Sequence, residues 1–279
     1  MFAAVLIGVA LLAGCENSFE PLKENNRYNY SMYGILDFSA DTQWVRVMPL
    51  RTTVLRGPVA NDANVFMIRE NDGQIIPLQD TLIKLAQNTY VWNFWTTDSI
   101  IPEYTYTIQA ISPEQEVTSA TANIPVDFNT PEISYDSTKK RCLVDIKGEV
   151  DNLVVAEITF TFRIRYGEEP SDIQHYSISY LNEVEELFGG IKRFEVQSIS
   201  EIMRVYGVSE NQILNLSGEL VVVSADSNWY NFKEDAAEIP GKFSNVKNGL
   251  WVVTGIVSKR LPYRPIVRGQ EHFTFCPPK

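Results

Sequence analysis

A strict alternation of apolar and polar residues between positions 158 and 165 constrains the fold of this chain more than any other feature. The even-numbered positions are apolar: Ile158, Phe160, Phe162 and Ile164. The odd-numbered positions are polar: Thr159, Thr161, Arg163 and Arg165. Successive side chains of a strand point to opposite faces, so this pattern predicts a strand with one buried and one wet face. The run 104–110 repeats it, and Tyr104, Tyr106, Ile108 and Ala110 are predicted to share a face.

Similar runs separated by turn signals fill the chain from Tyr28 onward, and the predicted fold class is all-β with a few short helices. The clearest turn is Asn71-Asp72-Gly73, which tolerates the positive φ angles of a tight hairpin. About seven such runs within residues 28–126 match the size of an immunoglobulin-like or fibronectin III-like β-sandwich. Two prolines in residues 125–131 favour extended backbone and predict a boundary there, followed by a larger β-rich domain over 131–279.

Three short helical segments are predicted within that second domain. Ser198-x-x-Glu201 has the pattern of a capping box, and Gly207 would end the helix that follows it. Residues 209–216 could form a second short helix, and residues 227–237 could form one or two helical turns.

The N-terminal segment predicts the location of the protein. Residues 2–13 are apolar throughout, shorter than the roughly 20 residues of a membrane-spanning helix and typical of a signal peptide, although no positive charge besides the α-amine precedes them. Leu12-Ala13-Gly14-Cys15 resembles the lipobox of bacterial lipoproteins. The resemblance implies a signal peptide over 1–14 and a lipid on the Cys15 thiol. The polar composition of the residues that follow predicts a tether over 15–27. The alternative to the lipobox is a short buried strand that contains a cysteine by chance.

The predicted partner of the lipid is therefore the membrane of a bacterial cell envelope. The outer membrane, on its periplasmic or surface face, is the commoner destination of such lipoproteins. In that oxidising space, Cys142 and Cys276 could form a disulfide, and two separate buried thiols are the alternative.

The motifs and residue types of the sequence predict no catalytic residue, no metal and no cofactor. The net charge of −11 argues against nucleic acid, and the only two histidines, His175 and His272, lie in no motif. The acidic clusters at 168–169 and 183–186 are interpreted as solvated loop ends. Asp41, Asp72 and Asp98 occupy turn-like settings where side-chain hydrogen bonds to backbone suffice, and a structural calcium ion is the alternative there.

The aromatic run 90–95 offers a candidate ligand contact. At period two, Tyr90, Trp92 and Phe94 share a face that is interpreted as core. Trp95 falls on the other face, where an exposed ring could stack against a sugar. Trp229 and Trp251 are predicted to be core residues.

The run FSNVKNGLWVVTGIVS, residues 243–258, resembles a signature of the bacterial lipoprotein family called domain of unknown function 4249. Asn245, Asn248, Gly249 and Leu250 carry the match, whereas Trp251 replaces the usual small residue and Thr254-Gly255 an aromatic-Gly pair. The resemblance implies a lipid-anchored envelope protein and no catalytic residue.

Together these features predict a non-enzymatic binding or assembly role, with another envelope protein as partner. The alternatives are a hydrolase acting on glycan or peptide and a glycan-binding accessory protein of a nutrient-uptake system. A hydrolase would need two converging carboxylates of perturbed pKa, which a sequence alone does not show.

Overall fold

A computed structural model describes residues 29–50, 60–85, 90–136, 138, 141–196, 200–229 and 244–263. The described chain is mostly β-strand, which confirms the all-β prediction. Its single α-helix is α1, Ser200–Tyr206. Cys15, Cys276 and His272 lie outside the described residues, as do the signal peptide and tether predicted over 1–27.

The largest sheet has ten strands, which come from both the N-terminal and the C-terminal parts of the described residues. Its strands are β1 (Tyr30–Asp37), β2 (Gln43–Pro49), β5 (Gln79–Lys84), β6 (Tyr90–Thr96), β11 (Leu153–Tyr166), β12 (Glu169–Pro170), β13 (Gln174–Ser179), β16 (Ile213–Ala225), β18 (Gly249–Leu250) and β19 (Val253–Tyr263). The main path is β12-β11-β16-β19-β1-β2-β6-β5, with β13 paired to β11 and β18 paired to β1.

Two smaller sheets complete the fold. A five-stranded sheet has the order β17-β8-β7-β3-β4, and a four-stranded sheet has the order β14-β15-β10-β9. The strands of the first are β3 (Asn64–Arg69), β4 (Gln74–Pro77), β7 (Thr105–Ile111), β8 (Val117–Asn123) and β17 (Val246–Lys247). Those of the second are β9 (Glu132–Asp136), β10 (Arg141–Ile146), β14 (Glu185–Glu186) and β15 (Lys192–Val196).

One contiguous hydrophobic core joins all three sheets. It contains Met32 and Phe160 of the large sheet, Ile108 of the five-stranded sheet and Val144 of the four-stranded sheet, each fully buried. The sheet faces that meet in this core are the apolar faces of half-buried strands. Burial of those faces is the main source of stability in such layered folds.

The strand faces predicted from alternation are confirmed. Ile158, Phe160, Phe162 and Ile164 are buried in β11, whereas Arg165 is exposed. In β7, Tyr106, Ile108 and Ala110 are buried on one face. The hairpin at 71–73 is also confirmed, since β3 and β4 flank it and Gly73 has a φ of +72°.

The predicted boundary at residues 125–131 does not separate the sheets. Gly34 of β1 pairs in parallel with Val253 of β19, so the first strand and the last described strand are neighbours. The boundary residues are themselves packed: Phe128 is buried, and the carboxylate of Asp127 lies 2.6 Å from the Lys259 ammonium. The described parts of 28–126 and of 131–279 therefore both contribute strands to one sheet.

The helical predictions have mixed outcomes. The helix ended by Gly207 is present as α1, and Gly207 has a φ of +64°. Ser198 lies outside the described residues. The helix predicted over 209–216 is wrong, because a 3-10 turn at Glu210–Gln212 leads directly into β16 at Ile213. The segment predicted as helical turns over 227–237 lies mostly outside the described residues.

Candidate functional site

The outward side of the large sheet carries an exposed cluster that we call the aromatic face, made of Tyr33, Trp44, Arg46, Trp95 and Trp251. The core side of the same strands holds Met32, Leu36, Val45 and Val47. Three of the five members have large exposed side chains: Tyr33 is 37% exposed, Trp44 43% and Trp251 39%. Exposed aromatic side chains that cluster on one surface mark a binding site more often than isolated ones do.

Strand register places four of these side chains together. Tyr33 of β1 lies directly opposite Arg46 of β2, and Trp44 of β2 lies directly opposite Trp95 of β6. Opposite residues of antiparallel strands have Cβ atoms about 5 Å apart, and residues two apart on a strand share a face at a spacing of about 7 Å. The four therefore form one continuous patch.

Trp95 lies on the face that was predicted for it. Its ring is 5.8 Å from that of Trp44 between centroids, with an interplanar angle of 33°. Its indole Nε1–H donates to Thr81 Oγ1 at 3.2 Å, which fixes the ring's orientation. Trp95 is only partly exposed, so the ring of this pair that is more open to a ligand is Trp44.

Arg46 lies at the centre of the aromatic face, beside a cleft of about 370 Å³. Ser31, Tyr33, Arg46 and Trp251 line this cleft. The Nε–H of Arg46 is buried and finds no hydrogen-bond partner among the described residues. A buried donor without an acceptor costs about 1–3 kcal/mol, so this arrangement favours an acceptor that enters the cleft.

Trp251 completes the cleft in an unfavourable backbone conformation. Its φ is +84°, in the region that favours glycine. The ring packs edge-on against Tyr33, with centroids 6.5 Å apart and planes at 84°. Strained residues of this kind cost about 1–3 kcal/mol and cluster at functional sites. The prediction that Trp251 is a core residue is wrong, because its ring lines an open cleft.

The turn that presents Trp251 is held by hydrogen bonds from two asparagines of the signature. Asn245 accepts from the Val253 N–H at 3.0 Å and donates to the Val253 carbonyl at 2.6 Å. Asn248, with a φ of +56°, donates its Nδ2–H to the Val117 carbonyl at 3.1 Å. These signature residues connect β8, β18 and β19, and their role is structural.

Comparison with known proteins adds no assignment. No family model matches the chain, and no curated protein matches it. The resemblance to the domain of unknown function 4249 therefore stays a prediction.

The titratable groups of the described residues show no acid and base converging on the cleft. The carboxyl pKa shifts that are resolved are downward, at Asp72 beside Arg69 and at Glu201 beside Arg204. Burial raises the pKa of the Tyr106 phenol, which lies in the core. A general acid at neutral pH needs a raised carboxyl pKa, whereas both of these carboxyl pKa shifts are downward.

The other predicted residues lie apart from the aromatic face. His175 is exposed on β13, with Nδ1 3.1 Å from Thr161 Oγ1, and all the acidic residues of the clusters at 168–169 and 183–186 are exposed. Cys142 is buried in β10, and the described residues do not test whether it forms a disulfide with Cys276 or stays a separate thiol. Within those residues, no cluster of three metal-binding side chains and no helix able to span a membrane is found.

Sequence reasoning missed Tyr33, Trp44 and Arg46. The signal was present, because Trp44 and Arg46 are two residues apart in a predicted strand and must share a face. An arginine on that face indicates solvent, and it places Trp44 in solvent as well.

Proposed function

We propose that this chain is a lipid-anchored protein of the bacterial cell envelope that binds a ligand or another envelope protein through the aromatic face, without catalysis. The observation that carries the proposal is Trp251, an exposed aromatic residue kept at a φ of +84° beside a cleft. A glycine would adopt this backbone without strain, so retention of the ring has a cost that binding explains.

The fold supports a binding role. The order β1-β2-β6-β5 opposite β8-β7-β3-β4 corresponds to strands A-B-E-D opposite G-F-C-C′ of an immunoglobulin-like sandwich, and we propose that assignment for residues 28–126. Such sandwiches present ligand contacts on loops and sheet faces of a rigid scaffold. Membership of the domain of unknown function 4249 and an outer-membrane location are parts of the same proposal.

Binding through the aromatic face predicts that Trp251→Gly and Trp251→Ala differ in stability but lose binding alike. We expect Trp251→Gly to be about 1 kcal/mol more stable than Trp251→Ala, because only glycine relaxes the positive φ. Both variants lose the ring, and each should reduce capture by roughly tenfold or more, the loss typical of a central Trp. Urea denaturation measures stability. Capture from detergent-solubilised envelopes by the immobilised lipidated protein, scored for bound protein and bound carbohydrate, measures binding.

The control for this experiment is Tyr166→Ala, which removes an exposed aromatic ring at the far end of β11. It should leave capture unchanged. Equal capture by wild type and both Trp251 variants would overturn the binding role of the aromatic face. Equal loss in the Tyr166 variant would show nonspecific adhesion of aromatic side chains and would overturn it as well.

Lipid attachment at Cys15 is tested separately. In cells supplied with radioactive palmitate, we expect label on the wild-type protein and none on Cys15→Ala, which should leave the membrane fraction. Two or three acyl chains anchor a protein firmly because each buried CH₂ contributes about 0.8 kcal/mol. Cys142→Ala, which removes a buried thiol, should keep the label. Equal labelling of Cys15→Ala would contradict the anchor.

A further inference from the structure

We infer that the aromatic face binds an acidic saccharide, with sugar rings against Trp44, Tyr33 and Trp251 and a sugar carboxylate paired with Arg46. This inference rests on the proposed function, since it names the ligand class of that same face. Three features carry it, namely the unpaired arginine, the orientation of the rings and the size of the cleft.

Arg46 supplies the charge recognition. Of the described residues that line the cleft, it alone is positively charged, and no described residue forms an ion pair with it. Its buried Nε–H lacks an acceptor. A carboxylate is planar and accepts two parallel N–H bonds from a guanidinium, so it would satisfy this donor and neutralise the charge at once. A phosphate dianion would leave excess negative charge against a single arginine.

The rings supply the stacking surface. Tyr33 and Trp251 stand at 84° to each other and form two walls of the cleft, while Trp44 continues the surface on the other side of Arg46. A pyranose ring has one flat face of C–H groups, which packs on an aromatic ring, and an equator of hydroxyl groups, which needs polar neighbours. Ser31 and Tyr33, which both carry a hydroxyl group, are among the residues that line this cleft.

The size of the cleft favours a saccharide over a protein surface. Specific protein interfaces bury about 800 Å² on each partner. Next to the aromatic face, Ile35 leads into a buried apolar cluster of Val223, Ala225 and Ile256 on the same side of the sheet. The exposed Gln79 and the Glu219–Arg260 ion pair are polar neighbours on that side. The cleft volume of about 370 Å³ lies in the range of small-ligand sites.

The overall charge limits which acidic saccharides fit. The chain carries a net charge of −11, so its long-range field repels a dense polyanion. Recognition must therefore come from the local pairing with Arg46, and a short oligosaccharide with one carboxylate at the cleft satisfies this condition. Binding should weaken as salt is added, because the pair is partly exposed to solvent.

The test is titration of the full chain in detergent, followed by calorimetry and tryptophan fluorescence. The probes are α-1,4-linked trigalacturonic acid, the neutral α-1,4-linked galactose trimer, and acetyl-Gly-Ala-Ala, a peptide with a free carboxylate. We expect the acidic trimer to bind roughly tenfold tighter than the neutral one, because a charge-assisted pair contributes at least that factor. The peptide should bind more weakly than either sugar, since it has no ring face to stack.

Two variants separate the contributions of charge and stacking. Arg46→Gln should weaken the acidic trimer about tenfold and leave the neutral trimer unchanged, whereas Trp44→Ala should weaken both several-fold. Arg163→Gln, which changes an arginine on the outward side of β11, is the matched control and should alter neither. Unchanged urea midpoints would show that the variants keep the fold.

Every other pattern of results overturns the inference. Equal binding of both trimers, or equal weakening of both by Arg46→Gln, would remove the carboxylate from recognition. Tighter binding of the peptide would replace the saccharide by a peptide ligand. If no probe binds but capture from envelopes still depends on Trp251, the ligand class is wrong and the proposed function stands.

Discussion

Replacement of Asp226 by alanine is expected to lower the free energy of unfolding by about 3–5 kcal/mol, because it leaves buried donors without an acceptor. The carboxylate accepts from the Thr254 hydroxyl at 2.6 Å and from the Asn123 N–H at 3.0 Å. It also accepts from the backbone N–H of Asn228 at 3.0 Å and from its side-chain amide at 2.9 Å. Asp226 and Thr254 are both buried, so water does not replace these bonds. The side chain thus joins the end of β16 to β8 and β19.

Asp72→Ala is the matched control. Asp72 also accepts several hydrogen bonds, from Arg69 and from the Gln74 N–H, but it lies exposed in the 71–73 hairpin. Its removal should change stability little, because water takes over exposed hydrogen bonds. Urea unfolding of the two variants gives the comparison. A loss at Asp226 no larger than that at Asp72 would show that the three strands are joined by packing alone.

Gly255→Ala is expected to destabilise the chain by about 3 kcal/mol, at the upper end of the range for overpacking. A Cβ at this position would clash with the carbonyl oxygen of Asn123, would lie 2.8 Å from the Asn123 carbonyl carbon, and would lie 2.9 Å from Ile124 Cδ1. Because backbone atoms are in the way, no rotamer change relieves the contact. The close approach of β19 to the end of β8 therefore requires glycine.

Gly73→Ala isolates the conformational effect from the steric one. Gly73 has a φ of +72°, and a Cβ there would meet no atom within 4 Å. Its replacement should cost about 1 kcal/mol, the penalty for an L-residue in the left-handed region. Thermal and urea unfolding check both variants. If the two variants lose the same free energy of unfolding, the Asn123 backbone does not prevent a Cβ at Gly255.

The sequence predicted strand faces well because a strand's side-chain period is local. Phe160 and Ile164 must share a face whatever the strand pairs with, and Asp72-Gly73 specifies a hairpin within a few residues. The aromatic candidate Trp95 was placed on the correct face for the same reason. Local pattern also misled, since Glu210–Gln212 has helical capping chemistry but is followed by a strand.

The sequence alone does not predict which distant strands pair, nor whether the side chain of a turn is exposed. Nothing near Gly34 indicates that its neighbour is Val253, because the pairing depends on how the three sheets pack around one core. The sequence predicts Trp251 to be a core residue because a large aromatic side chain is usually buried. The backbone at φ +84° turns it outward instead, and no residue pattern short of the folded turn shows this.

The pairing of β1 with β19 has a consequence for the order in which the chain becomes structured. Ser39 donates to the carbonyl of Ser258, a contact that spans 219 residues. Before the ribosome has made β19, β1 can pair with β2 on one edge. Its other edge exposes backbone groups that have no partner strand. Contacts this distant slow folding and leave sheet edges open to aggregation. We therefore expect the chain to complete its fold after synthesis, and fragments that end near residue 126 to depend on chaperones.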